Sequence, residues 1–151
     1  MKSALPLAII ASVLFLLTAN PLKASHQTQQ FNMTTALAAG YESELLAPSV
    51  ALHFGNSAPT HAEGESVINM GEYITNKAMH RLNKTEQQAC HWAFVSALNA
   101  LQQQALDQGG NAVVEIRSYR DGDLQPLVDQ FECGAGLFVA DVTLVGRVVK
   151  Q

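Results

Sequence analysis

A long amphipathic stretch in the middle of the chain gives the clearest structural signal. Between residues 85 and 110, apolar side chains recur at helical spacing and form one stripe, which consists of Cys90, Phe94, Ala97, Leu98, Leu101 and Ala105. Thr85 and Gln88 have the spacing of a capping box, and Gly109 is a typical residue just past a helix end. The pattern predicts a helix over residues 86–108 with the stripe buried, and it places Gln102 and Gln103 on the wetter flank.

Runs of apolar and alternating residues on both sides of this helix predict strands. They lie at residues 49–54, 67–78, 111–119, about 127–133 and 137–149. Gly71 is expected to form a bulge, and Asp121-Gly122 marks a turn after the third strand. One helix stripe and one sheet face can cover each other, so we expect an α+β fold, a two-layer sandwich with one long helix packed on a mixed sheet of four or five strands.

The first residues have the pattern of a secretory signal. A positive start with Lys2 precedes the uncharged apolar run 4–19, and the small residue Ala24 fits a cleavage site. An uncleaved anchor is the alternative, although the run falls short of the roughly 20 residues that a membrane-spanning helix needs. The first cysteine of the chain is Cys90, so no lipid can be attached near the cleavage point. We therefore expect residues 1–24 to be removed.

The remainder divides into a short N-terminal segment and one domain. Residues 25–33 are polar and Gln-rich, which predicts a mobile start, and a short helix within 34–46 could begin at Thr34 or Thr35. We interpret residues 25–48 as this mobile segment and residues 49–151 as a single α/β sandwich domain. A chain of 151 residues, 48% hydrophobic and 15% charged, suits one such domain.

The charge balance narrows the class of partner. Removal of residues 1–24 takes away two lysines and no acid, which leaves seven basic against thirteen acidic residues and a net charge of −6. The basic residues are scattered along the sequence. Nucleic acid and anionic membrane surfaces are therefore not expected as partners, and we expect no stable membrane insertion after cleavage.

The two cysteines predict a disulfide. Cys90 lies on the helix stripe and Cys133 on the same side of its strand as Phe131, so both point into one interface. Their bond would close a loop over 43 positions, worth about 4 kcal/mol in the loop-entropy description. Two independent buried thiols are the alternative.

Other candidate chemistry is sparse. Thiolate and imidazole suit a soft metal, and Cys90, His91 and Cys133 supply both, but neighbouring helix residues diverge by about 100° and cannot easily face one ion. The remaining histidines are interpreted as solvated, and these are His26, His53, His61 and His80. Trp92 is interpreted as a packing residue. There is no Gly-x-Ser-x-Gly elbow and no phosphate-binding loop, so we expect no catalytic residue, metal or cofactor.

Three stretches carry a resemblance to a known family. Residues 90–94, 109–119 and 131–136 resemble small exported bacterial proteins that often carry the label "excinuclease ATPase subunit", and the likeness covers residues 49–150. More distantly, residues 110–114 and 145–149 look like the signature strands of the heavy-metal-binding YbjQ-like family, whose fold the stress-sensor lipoprotein of the Rcs phosphorelay shares. The resemblance implies a helix-on-sheet domain in a bacterial envelope, self-associating in cytosolic relatives, and carries over no catalytic residue.

These observations together predict a periplasmic, non-enzymatic binding or envelope-accessory protein stapled by one disulfide. A second copy of the chain or an envelope protein could serve as its partner. Two alternatives stay open at this point, a soft-metal-binding periplasmic protein and a small hydrolase of unknown substrate.

Overall fold

The computed structural model describes residues 27–56 and 66–151, so the predicted signal peptide at residues 1–24 lies outside the described residues. Within those two ranges, 47% of residues lie in strands and 28% in helices. In chain order the elements are β1 (Gln27–Asn32), α1 (Met33–Glu42), β2 (Ala51–Phe54), β3 (Ile68–His80), α2 (Glu86–Gln108), β4 (Ala112–Arg120), β5 (Asp123–Pro126), β6 (Gln130–Ala135) and β7 (Val139–Lys150).

Strand β7 organises the sheet. Along one edge it pairs antiparallel with β3 over its whole length. Along the other edge it pairs first with the end of β6 and then with β4. Strand β6 pairs with β1, while β4 pairs with β2 in parallel and with β5 antiparallel. The result is one curled, mixed sheet of seven strands.

The predicted two-layer sandwich of one long helix on four or five strands is wrong. The described residues contain seven strands and a second helix, and strand content exceeds helix content. Prediction missed β1, which lies in the polar segment expected to be mobile, and β5, which lies in the polar residues before 127. Both strands expose nearly all of their side chains. Backbone pairing holds them in the sheet, and backbone pairing leaves no hydrophobic pattern in a sequence.

Helix α2 confirms its prediction at both ends and along its buried face. The Thr85 hydroxyl accepts a hydrogen bond from the Gln88 N–H at 3.1 Å, and the Gln88 side chain accepts one from the Thr85 N–H at 2.9 Å. Gly109 follows the last turn in the left-handed conformation, with φ 76°. All six residues of the predicted stripe are fully buried. The helix lies mainly against β7 and β3, so its stripe and the sheet form the core.

The predicted bulge and turn are present, whereas the predicted start of the short N-terminal helix is displaced. The register of β3 shifts at Gly71, as the predicted bulge requires, and Asp121-Gly122 forms the turn between β4 and β5 with positive φ at both residues. Helix α1 begins after Asn32, whose side chain accepts from the Thr35 N–H at 2.9 Å. The cap therefore lies two or three residues before the predicted Thr34 or Thr35.

Gln102 contradicts its prediction, because it is fully buried. Its side-chain oxygen accepts from the Ala47 N–H at 2.8 Å, and its amide group donates to the carbonyls of Ala47 and Val50 at 2.8 and 2.9 Å. These three bonds tie the irregular segment between α1 and β2 to α2. The prediction followed residue polarity and missed that the backbone of this segment needs buried partners.

Candidate functional site

The predicted disulfide is present. Cys90 of α2 and Cys133 of β6 are bonded, with their Cα atoms 5.8 Å apart, and both residues are fully buried. Beside the bond, the rings of Phe94 and Phe131 stack with centroids 4.1 Å apart. The bond therefore joins the helix to the sheet at the centre of the core, where its role is structural.

The soft-metal site considered from the sequence would need the thiolates of Cys90 and Cys133, but both sulfur atoms are part of this disulfide. His91 is half-buried: its Nε2 atom is buried without a hydrogen-bond partner, and its ring lies edge-on to Phe31 at 6.3 Å. Burial lowers the pKa of His91, because a charged imidazole would be poorly solvated there. Across residues 27–56 and 66–151, no group of three or more His, Cys, Asp or Glu side chains could hold a metal ion.

The other residues weighed from the sequence are dispersed. His53 is half-buried on β2, His80 is exposed at the end of β3, and Trp92 is half-buried on α2. His26 and His61 lie outside the described residues. Prediction placed none of them in a shared site, and the described ones do not meet in one.

Several carboxylates of the sheet are engaged by arginines. Arg117 pairs with Glu72 at 3.1 Å and Arg120 with Asp141 at 3.0 Å. A third pair joins Arg147 to Glu115. Pairs of this kind, in which an arginine donates charge-assisted hydrogen bonds to a carboxylate, join different strands of the sheet.

A different feature stands out, at the N-terminal end of α2. Leu82, Leu137 and Phe138 are 79%, 83% and 79% exposed, which makes them the most exposed large apolar residues of the described chain. They line one open cleft of about 700 Å³. We call the residues that line it the tip patch, and its members are His80, Arg81, Leu82, Asn83, Lys84, Leu137 and Phe138. Exposed apolar side chains that are grouped on one surface are a feature of binding sites.

Two turns hold these apolar side chains outward. Leu137 and Phe138 occupy the centre of the turn between β6 and β7, which is closed by a hydrogen bond from the Gly136 N–H to the Val139 carbonyl at 2.9 Å. Leu82 lies in the turn that leads into α2, closed by the N–H of Lys84 donating to the carbonyl of Arg81 at 3.0 Å. Turn centres favour Gly, Asn, Asp, Ser and Pro. Turn geometry therefore does not explain leucine and phenylalanine here.

Arg81 joins the two turns into one unit. Its backbone N–H donates to the Phe138 carbonyl at 2.8 Å, and its guanidinium donates to the Gly136 carbonyl. The same guanidinium forms an ion pair with Glu86 at 3.2 Å, in the first turn of α2. The apolar side chains of the tip patch thus project from backbone that is fixed to the helix start.

Sequence reasoning missed the tip patch. It treated Leu137 as the beginning of an apolar run that continues into β7, since only tertiary structure separates the exposed turn from the buried strand. The available signal was the position of Leu137 and Phe138 directly after Gly136, a residue type that is common in turns.

Neither helix in the described residues is long and apolar enough to cross a membrane. No family model matches the chain, and comparisons with curated proteins and with solved structures found no significant match.

Proposed function

We propose that this chain is an exported, non-enzymatic binding protein of the bacterial envelope that acts through the tip patch. One observation carries the proposal: Leu82, Leu137 and Phe138 are exposed side by side on two turns fixed by Arg81. Full burial of one such side chain stabilises a complex by about 1.5–3 kcal/mol. Three together supply about 4.5–9 kcal/mol. This falls within the range of the cost of association, which is about 4–15 kcal/mol, so a further attraction would strengthen binding.

Export is supported by two independent features. The charged start and the uncharged run 4–19 have the pattern of a secretory signal. The bond between Cys90 and Cys133 suits an oxidising compartment, where disulfides persist.

A non-enzymatic role is favoured over the two alternatives by the state of the candidate groups. The disulfide occupies both thiols that a soft metal would need. The carboxylates of Glu72, Glu115 and Asp141 are each paired with an arginine and do not converge on one site.

In-cell photo-crosslinking tests the binding role. A photoreactive amino acid at position 138 should give a light-dependent adduct in cells that produce the protein, and Leu82→Ser should weaken the adduct. The matched control is position 128, because Val128 is also an exposed apolar residue, at 71%, but does not line the tip patch. Equal labelling at both positions, or none at position 138, would contradict a binding role for this surface.

Protease treatment of spheroplasts tests export separately. We expect the protein to be digested while a cytoplasmic marker stays intact, and protection of the protein would reject the exported location. Protease treatment tests only the location of the protein and photo-crosslinking tests only the binding surface, so a negative result in one does not decide the other.

A further inference from the structure

We infer that the tip patch docks onto the surface of an anionic lipid bilayer. This inference rests on the proposed function and names the partner of the same surface. It is carried by the shape of the apolar group, by the local distribution of charge, and by the small extent of the surface.

The shape fits shallow insertion. Leu82, Leu137 and Phe138 lie at the ends of two turns, and each is about four-fifths exposed. Side chains of this type can enter the boundary between headgroups and acyl chains, about 5–10 Å deep, while the rest of a peripheral protein stays in water. Arg81 joins both turns, since its backbone N–H and its guanidinium each donate to a carbonyl of the turn between β6 and β7. The three side chains are therefore presented together, and little ordering is needed on docking.

The charge around the tip patch differs from that of the whole chain. Residues 73–85 and 133–140 contain no acid, although the complete sequence has thirteen. Two basic residues, Arg81 and Lys84, line the tip patch, whereas Lys77 lines a different cleft. The nearest carboxylate along the chain, that of Glu86, is paired with Arg81. Cations beside an apolar tip suit the phosphates of an anionic membrane surface, which attract basic side chains over roughly one Debye length.

The net charge of −6 after removal of residues 1–24 led to the opposite expectation, that anionic membranes are not partners. That argument averaged over the sequence. The fold separates the charges, because it brings the acid-free turn before α2 next to the acid-free turn between β6 and β7.

The extent of the surface favours lipid over protein. A stable protein interface covers about 800 Å² on each partner and 20–30 residues. The exposed apolar part of the tip patch comprises three side chains, those of Leu82, Leu137 and Phe138. A bilayer needs no such area, since each inserted side chain gains hydrophobic transfer free energy individually.

Vesicle flotation tests the inference, with protein purified in the form that the cell produces. We expect enrichment on vesicles of phosphatidylglycerol and phosphatidylethanolamine over vesicles of phosphatidylcholine. The double variant Leu137→Ser/Phe138→Ser should bind at least ten-fold more weakly, since it removes two inserted side chains. Lys84→Gln should lose about five-fold, the effect of one cation near an anionic surface, and added salt should reduce the same preference.

The controls isolate the tip patch. Val128→Ser removes an exposed apolar residue elsewhere and should leave flotation unchanged. All variants share one N-terminus, so a contribution of residues 1–26 cancels in the comparison. Circular dichroism verifies folding, and Leu82→Ser on the other turn replaces the double variant if that variant does not fold.

Two results would overturn the inference: no preference for anionic vesicles, or equal flotation of native protein and the folded tip variants. If vesicles do not bind but the cross-linker at position 138 yields a protein adduct, the lipid inference is overturned and the binding role stands. If position 138 gives no adduct of any kind in cells, the proposed function fails as well.

Discussion

Replacement of Gln102 by Ala tests the tertiary hydrogen bonding of this fold most directly. The substitution removes three hydrogen bonds to the segment between α1 and β2. It leaves the N–H and carbonyl of Ala47 and the carbonyl of Val50 without these partners. An unsatisfied buried polar group costs about 1–3 kcal/mol. Water can reach Ala47, which is only half-buried, while the bond to Val50 is buried. We therefore expect a loss of about 3 kcal/mol in the free energy of unfolding.

Two further substitutions separate hydrogen bonding from packing. Gln102→Leu refills much of the volume but satisfies none of the three backbone groups, so we expect it to cost nearly as much as Ala. Gln102→Glu can still accept from the Ala47 N–H, but an ionised carboxylate cannot donate to the carbonyls of Ala47 and Val50. Protonation restores one donor. The Glu variant should therefore gain stability relative to the native protein as the pH falls toward the pKa of its new side chain.

Urea denaturation followed by far-ultraviolet circular dichroism measures these differences. Gln103→Ala is the matched control, because Gln103 is the exposed neighbour on the same helix, and it should cost less than about 0.5 kcal/mol. If Gln102→Ala cost no more than Gln103→Ala, or if Gln102→Leu were as stable as the native protein, the hydrogen-bond explanation would be refuted.

Three more predictions concern the core. Leu98→Ala should lower the free energy of unfolding by about 2–5 kcal/mol in urea, because Leu98 is fully buried in the helix stripe; a cost near zero would mean that the core is not packed as described. Reduction of the bond between Cys90 and Cys133 should lower the melting temperature, with a cost of about 2–5 kcal/mol, and thiol titration should find no free thiol before reduction; two reactive thiols in native protein would reject the bond. Burial lowers the pKa of His91 below its usual 6.5, so the unfolded chain binds the proton more readily. The stability contributed by neutral His91 should be full above about pH 6.5 and be lost as the pH falls toward the folded-state pKa. His91→Phe should therefore reduce the dependence of the free energy of unfolding on pH, measured between pH 7.5 and 5. An unchanged pH dependence would assign it to other groups.

Local signals predicted the elements that depend on local physics. The capping of α2 by Thr85, its end at Gly109 and the turn at Asp121-Gly122 each need only a few consecutive residues, and all are present. The disulfide was also predictable, because helical and strand periodicity together fixed the directions of Cys90 and Cys133.

The fold class failed for a physical reason. Strands β1 and β5 are held by backbone pairing with β6 and β4, and apart from the half-buried Phe31 their side chains are exposed. A hydrophobic pattern reports burial, so it cannot detect a strand that buries almost nothing. Without these two strands the sheet was expected to have four or five members, when the described chain has seven.

Gln102 and the tip patch are opposite violations of the rule that polar residues face water and apolar residues face the core. The first has a structural explanation, since Gln102 satisfies backbone groups that would otherwise be buried without partners. Leu137 and Phe138 have none within the described chain, because turns do not require them and no described element covers them. Surface exposure of three large side chains lowers solubility unless a partner covers them. That asymmetry is why the buried glutamine leads to a prediction about stability, while the exposed leucines and phenylalanine lead to one about binding.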